Sequence, residues 1–299
     1  MTTAETPNAE LMKTAEIKSR SLWDDARRRL MRNKAAVASM VLLALITLTA
    51  IFGPYFMPYE YDFIDRDNVL IGPDAASQHY FGTDSQGRDL LVRLLYGLRV
   101  SLAVGLTATT VSLVIGVIYG AVAGYVGGWV DNLMMRFVDI LYSLPFIFFV
   151  IILMVVFGRN FILMFVAIGA VEWLTMARIV RGQTISLKQK EFVEAARAAG
   201  VRPTGIIFKH LAPNVLGPVV VYVTLTIPAV ILAESFLSFI GLGVQEPLTS
   251  LGVLISHGAA NMELAPWLLI YPAVTMVVTL FCFNFIGDGL RDAIDPKDR

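Results

Sequence analysis

The chain has 299 residues, 56% of them hydrophobic and 16% charged, with a formal net charge of zero. A soluble globular domain carries about 25% charged residues, so this chain lacks the polar surface to face water on all sides; its mean hydropathy of +0.67 agrees. The zero balance offers no bulk attraction to nucleic acid, the single cysteine (Cys282) excludes an intrachain disulfide, and His79, His210 and His257 lie far apart with no metal-binding spacing.

Residues 1–34 are polar and basic, too long and too polar for a cleavable signal peptide, and no small-residue cleavage site follows the apolar run ending at Phe52-Gly53-Pro54. Within them, Ser21–Lys34 sets Leu22, Trp23, Leu30 and Met31 among four arginines. It reads either as an amphipathic helix on the inner membrane surface or as a solvated basic anchor that sets topology.

Crossing a hydrocarbon core of about 30 Å takes about 20 residues at 1.5 Å rise. Uncharged runs of that scale predict spans at Ala35–Phe52, within Val100–Val130 and ending near Gly124, and at Ile140–Gly158, Phe161–Ala177, Leu211–Ala233 and Leu264–Gly287. Pro247–Met262 is uncharged but short and interrupted by Pro247, Gly252 and Gly258, and is expected to be interfacial or re-entrant. Cytoplasmic segments hold the excess of Lys and Arg. With both termini inside, 1–34, 125–139, 178–210 and the tail after Gly287 carry 19 of the 24 basic residues (eight, one, seven and three). Arg93 and Arg99, near the end of the first outer loop, fit that rule poorly. The expectation is an all-α polytopic membrane protein with six transmembrane helices and both termini cytoplasmic.

The 178–210 segment is the most informative. Lys188–Ala199 are good helix formers, with Phe192, Ala196 and Ala199 expected on one face and Lys190 and Arg197 within reach of Glu194. Gly200 stands where a helix commonly ends in a left-handed residue, and Pro203 prevents continuation. A second short helix is expected from near Pro203 to before Pro213. The small, alanine-rich exposed face suits close docking against another protein.

Glu194-Ala195-Ala196, then Gly200, Leu211 and Pro213, resemble the "EAA" loop of bacterial ABC-importer permeases. His210 departs from the general pattern, where many permeases have an aliphatic residue. The run His210-Leu-Ala-Pro213-Asn214 instead looks like the peptide and nickel branch, as do Tyr80–Asp89 and Ala233–Gly243. The ends, Arg20–Arg29 and Gly287–Arg299, look most like the C-type permease subunit of oligopeptide importers. The resemblance implies the ABC-importer permease fold in a bacterial inner membrane. It divides the chain into a cytoplasmic segment 1–34, a first transmembrane helix 35–58, a periplasmic loop 59–99, a five-helix core 100–287 holding the coupling loop 178–210, and a cytoplasmic tail 288–299. It implies a second homologous permease, two cytoplasmic ATPase subunits, and a periplasmic or lipid-anchored peptide-binding protein as partners, with peptide as cargo and dipeptide or nickel as the alternative. Glu194, Ala195, Ala196, Gly200, His210 and Pro213 are then the ATPase-coupling residues. ATP and Mg are held by the partner ATPases, so this chain is a non-catalytic subunit.

Absences agree. There is no Gly-x-x-x-x-Gly-Lys-Ser/Thr loop to cradle phosphate, and no Gly-Lys pair at all. A six-span serine protease is excluded because no Gly-x-Ser occurs and no histidine lies within a predicted span. A secondary transporter predicts carboxylates at midplane and leaves the basic 178–210 loop unexplained. Glu172, inside the fourth span at a cost of roughly 3 kcal/mol, must face the bundle interior or a wet cavity, for packing or for substrate passage. Glu234 is expected near the outer end of the fifth span, satisfied at the interface. These two are the candidates for the translocation path. Pro145, Pro218, Pro228 and Pro272 lie within spans and mark hinges. Phe81–Asp89 reads either as ordinary turns or as an element that holds the periplasmic face and contacts the binding protein.

Overall fold

The computed structural model describes residues 22–157 and 161–294. They form ten helices in chain order: α1 (Leu22–Arg32), α2 (Lys34–Phe52), α3 (Leu90–Val126), α4 (Gly128–Ser143), α5 (Phe146–Phe157), α6 (Phe161–Leu187), α7 (Glu191–Ala198), α8 (Pro203–Phe239), α9 (Leu251–Ala260) and α10 (Trp267–Ile294). Among the described residues the only β contacts are isolated bridges in the α2–α3 connection.

Among the described residues, four helical segments are each long and apolar enough to cross a membrane: Lys34–Phe56, Leu90–Val126, Pro203–Phe239 and Trp267–Ile294. The run expected as one crossing at Ile140–Gly158 is divided. α4 begins earlier, at Gly128, and the chain turns by 90° before Ile147–Leu153, so the bent pair is a fifth candidate. The reason is local: Pro145 has no N–H to continue the helix, and Leu144 before it is extended (ψ 130°). α6 carries Glu172, Arg178 and Arg181 and extends ten residues beyond the expected end at Ala177. α9, at ten residues, spans only about 15 Å. It is a short, largely buried helix, with Leu251, Val253 and Leu254 in the interior.

A glycine stripe holds the centre of the fold. Gly116, Gly120 and Gly124 recur every four residues on α3 and meet α6. A Cβ on Gly120 would lie 2.4 Å from the Ala177 carbonyl oxygen, and one on Gly124 2.8 Å from the Arg181 carbonyl oxygen. Between membrane helices no hydrophobic drive remains, so close backbone approach through small residues supplies the association. α8 joins through Val230, Ile231 and Leu237, α9 through Leu251 and Leu254, and α10 through Leu268 and Phe283. α2 lies outside, most of its apolar side chains exposed (Leu45 56%, Leu48 50%). Asn33 caps α2 by accepting from the Ala36 N–H (3.2 Å), and Ser250 caps α9 by accepting from Val253 N–H (3.2 Å).

Candidate functional site

The α6–α8 connection is built so that one face of a short helix has no partner. α7 turns Val193 and Ala196 inward against Ile206 and Leu211, with Tyr125, Leu187 and Val201 around them. Phe192 does not share that buried face; it is 38% exposed. The helix ends as expected at Gly200 (φ +77°). Val201 N–H donates to the Ala196 carbonyl and Gly200 N–H to that of Arg197, each at 3.0 Å, which are the two bonds of a Schellman ending. The helix is therefore closed by its own backbone, and Glu194, Ala195, Ala198 and Ala199 stand exposed.

Lys190 and Arg197 do not pair with Glu194 among the described residues. Arg197 lies over the Tyr125 ring instead (5.4 Å to the centroid), and Lys188 Nζ donates to the Tyr125 carbonyl oxygen at 2.5 Å. Tyr125, at the end of α3, thus ties α7 to one of the two longest described helices. Nearby, Arg181 of α6 forks onto Asp131 of α4 at 2.5 and 2.6 Å, and Arg178 donates to Asp139 at 2.8 Å. These pairs explain why basic residues stand inside the extended α6.

The second short helix expected to stop before Pro213 does not stop. Pro203–Phe239 is continuous through a π-wide turn, Ile206–Leu211. Pro213 gives no N–H and crowds the carbonyl four residues back, and the wider turn relieves that clash. Asn214 donates its side-chain N–H to the His210 carbonyl at 2.6 Å. Pro213 is exposed and His210 half-buried, so of the six coupling candidates only Ala196 is buried, at 8% exposure.

The α2–α3 connection is opposite in character. Asp84 accepts from the backbone N–H groups of Gln86 and Arg88, and its carboxylate binds Arg88 Nε at 2.7 Å and lies 3.6 Å from Arg93 Nε. Arg88 also donates to Glu246 at 3.0 Å, tying this loop to the α8–α9 connection. Burial alone pushes the Glu246 carboxyl up, but the Arg88 hydrogen bond and the nearby guanidinium charges hold it below its ordinary range. Asp89 caps α3 by accepting from Val92 N–H (2.9 Å) while His79 Nδ1 contacts its other oxygen at 2.9 Å. Gly87 (φ +80°) is obligatory, since a Cβ there would overlap the Asp65 carbonyl.

Arg93, which the sequence marked only as a poor fit to the charge rule, is wholly buried at the start of α3. Arg99, the other misfit to the charge rule, donates to the Ala50 and Ile51 carbonyls at the end of α2 (3.0 and 2.8 Å). Arg99 thus answers to backbone acceptors, whereas Arg93 has one long bond to the Tyr61 carbonyl (3.4 Å) and the Asp84 carboxylate at 3.6 Å.

Glu234 is not at an interface but fully buried. Ser238 and Ser250 donate to its Oε1 (2.6 and 2.7 Å) and Ser101 to its Oε2 (3.3 Å). One carboxyl thereby joins α3, α8 and the cap of α9; Ser238 stands one helical turn along from Glu234, whereas Ser101 lies 133 residues away, and no spacing in the sequence announces it. Glu172 differs: among the described residues it has no hydrogen-bond or ion-pair partner, and it lines a cavity of about 370 Å³ at the α4–α5 break.

Comparison with known proteins places this geometry. The family model "Binding-protein-dependent transport system inner membrane component" matches residues 116–299, and "N-terminal TM domain of oligopeptide transport permease C" matches 21–73. The oligopeptide transport system permease protein OppC of Escherichia coli (strain K12) is 61% identical over 284 residues, 95% of this chain and 94% of that protein. The dipeptide transport system permease protein DppC of Bacillus subtilis (strain 168) is 44% identical over 282 residues, 94% and 88% of the two chains. A solved chain of the MetNI methionine ABC transporter in inward-facing conformations superimposes with a TM-score of 0.56 at 22% identity, covering 69% of this chain and 98% of that one.

Proposed function

This chain belongs to the family of binding-protein-dependent transport system inner membrane components, as a multi-pass permease subunit, and from that premise we propose that it imports peptides as one half of a translocation path. The observation that carries the reading is α7: a helix closed by its own backbone, anchored to α3 through Tyr125, with Glu194, Ala195 and Ala199 exposed. A small-residue face of that kind accepts a close-fitting protein partner. We assign Glu194, Ala195, Ala196, Gly200, His210 and Pro213 to the docking of a cytoplasmic ATPase subunit, with Ala196 acting from beneath by seating the helix.

In this reading the chain crosses the membrane six times with both termini cytoplasmic: α2, α3, the bent α4–α5 pair, α6, α8 and α10. Residues 1–34 and 288–299 lie inside, 35–58 make the first crossing, 59–99 form a periplasmic loop, and 100–287 form the core around the coupling loop 178–210. A second permease completes the path, and a second ATPase docks on that subunit. A periplasmic or lipid-anchored peptide-binding protein delivers cargo from above, and ATP and Mg stay with the ATPases. ATP binding draws the ATPases together, α7 moves with its seat, and Tyr125 and the Arg181–Asp131 fork pass the displacement to α3, α4 and α6. Peptide cargo is supported by the 61% identity to an oligopeptide permease; the 44% identity to a dipeptide permease keeps short peptides as the second reading.

Single cysteines in a Cys282→Ser background test this reading. In the assembled transporter, Ala195→Cys should cross-link to an ATPase subunit. In intact cells Leu264→Cys, at a site 76% exposed, should react with an impermeant thiol reagent while Lys190→Cys is protected. Reaction at Lys190→Cys from outside would overturn both the topology and the docking assignment.

A further inference from the structure

Among the described residues, the two carboxylates buried within helices, Asp131 and Glu234, both have partners, as does the exposed Asp139, whereas the half-buried Glu172 does not. Asp131 is forked by Arg181, Asp139 is bound by Arg178, and Glu234 receives three serines. Glu172 has none, although an acidic side chain within a membrane helix costs about 2.5–3.5 kcal/mol on insertion scales unless its surroundings answer it. It opens into the cavity of about 370 Å³.

The opposite wall of that cavity is the break between α4 and α5, formed by Tyr142, Ser143, Leu144 and Pro145. Helix ends leave their last carbonyls without intrahelical donors and carry the negative pole of the helix dipole. Ser143 Oγ donates to the Ile140 carbonyl and Leu144 N–H to that of Leu141, while Pro145 has no N–H to give, so Tyr142 and Ser143 carry the remaining terminal carbonyls. Arg178 neutralises neither wall, for it is paired with Asp139 and stacked on the Tyr142 ring at 4.3 Å. Thr175 adds a hydroxyl, and Tyr222 of α8 lies beside it. A free carboxylate, a carbonyl-rich helix end and hydroxyls around one void make a site for a cation with several N–H donors.

We propose that this cavity receives the terminal ammonium group of the peptide as it passes, with Glu172 as the counter-ion and the α4 carbonyls as further acceptors. An ammonium offers three donors, matching one carboxylate and a ring of neutral acceptors, and the void also accommodates the first residue's side chain. The inference rests on the peptide-import reading above and adds a contact made within the permease itself.

The test uses the full transporter in proteoliposomes, with binding protein preloaded with a peptide or with an N-acetylated form of it that the binding protein still loads. The readout is the ratio of the two ATP-dependent transfer rates within each variant, which cancels differences in assembly. In Glu172→Gln the preference for the free amino terminus should fall about tenfold or more, the loss of one charge-assisted hydrogen bond. Glu172→Asp, which keeps the charge, should retain most of the preference. An unchanged ratio in Glu172→Gln, or an equal fall in Glu172→Asp, overturns the ammonium site. A matched loss of both peptides in Glu172→Gln also overturns it, since Glu172 then serves the contact with the second permease. ATP-dependent transfer of neither peptide by the unaltered transporter would instead sink the peptide-import reading.

Discussion

The α2–α3 and α6–α8 connections look alike in sequence: both are polar, turn-rich and marked by glycine, and both carry Asp or Glu among arginines. Folded, they are opposites. Residues Thr83, Asp84, Arg88 and Asp89 are buried with their side chains turned inward: Asp84 pairs with Arg88, Asp89 with His79, and Thr83 donates to the Asn68 carbonyl. On α7, only Val193 and Ala196 are buried, and Glu194 makes no ion pair among the described residues. A polar segment that spends its hydrogen-bonding groups internally is a structural clamp, whereas one that closes its own backbone and leaves its side chains free is a surface awaiting a partner. The difference lies in where the groups point, not in which groups are present.

The largest effect that separates the two belongs to Asp84→Ala. It takes the nearest carboxylate from the buried Arg93 guanidinium and leaves Arg88 with Glu246 alone, and removing one member of a buried ion pair costs about 3–5 kcal/mol. Thermal unfolding of the purified transporter should show the loss, together with failure to accumulate at normal levels. An unchanged melting temperature would mean that the clamp is not closed in the membrane.

Gly200 carries the next effect. Its φ of +77° costs a residue with a side chain about 1–2 kcal/mol, yet a Cβ there meets nothing within 4 Å. Gly200→Ala should therefore weaken only the helix ending and keep most uptake. Gly200→Arg adds bulk to the docking face and should abolish uptake and ATPase pull-down with membrane insertion intact. Full uptake by Gly200→Arg would remove α7 from the coupling role.

Glu194→Ala is milder still. With no intrachain pair to lose, stability should stay within about 0.5 kcal/mol, and uptake should fall less than in Gly200→Arg. A loss as large as that of Gly200→Arg would show that the ATPase reads this carboxylate directly.

The smallest effect is a pH response of the clamp. Glu246 is held below its ordinary value of 4.5, so its contribution is complete above that value and lost as pH falls through the depressed folded one. Acid unfolding of the unaltered protein should be steeper in that range than that of Glu246→Gln. Identical acid profiles would show that the Arg88–Glu246 link adds nothing, as exposed pairs often do.

Much was legible before folding. Apolar runs of span length marked α2, α3, α8 and α10, because a hydrocarbon core demands unbroken helical hydrogen bonding over a set length. The glycine and proline at 200 and 203 announced the end of α7, since only backbone geometry decides them. The α4–α5 break was half visible: Pro145 was noted as a hinge, but composition alone could not show that the polar run from Gly128 continues the helix below it. The extension of α8 through Pro213 was missed because a π-wide turn is a tertiary accommodation, invisible in residue spacing.

By itself, then, the sequence determined which stretches are helical and apolar, where α7 ends, and the family that its motifs resemble, since each follows from local composition or local backbone geometry. Only the tertiary structure decided that Arg93 and Glu234 are interior, the latter held by three serines, while Glu172 is left open. The partners that satisfy a buried charge come from segments as far apart as Ser101 and Ser250, and no local rule brings them together.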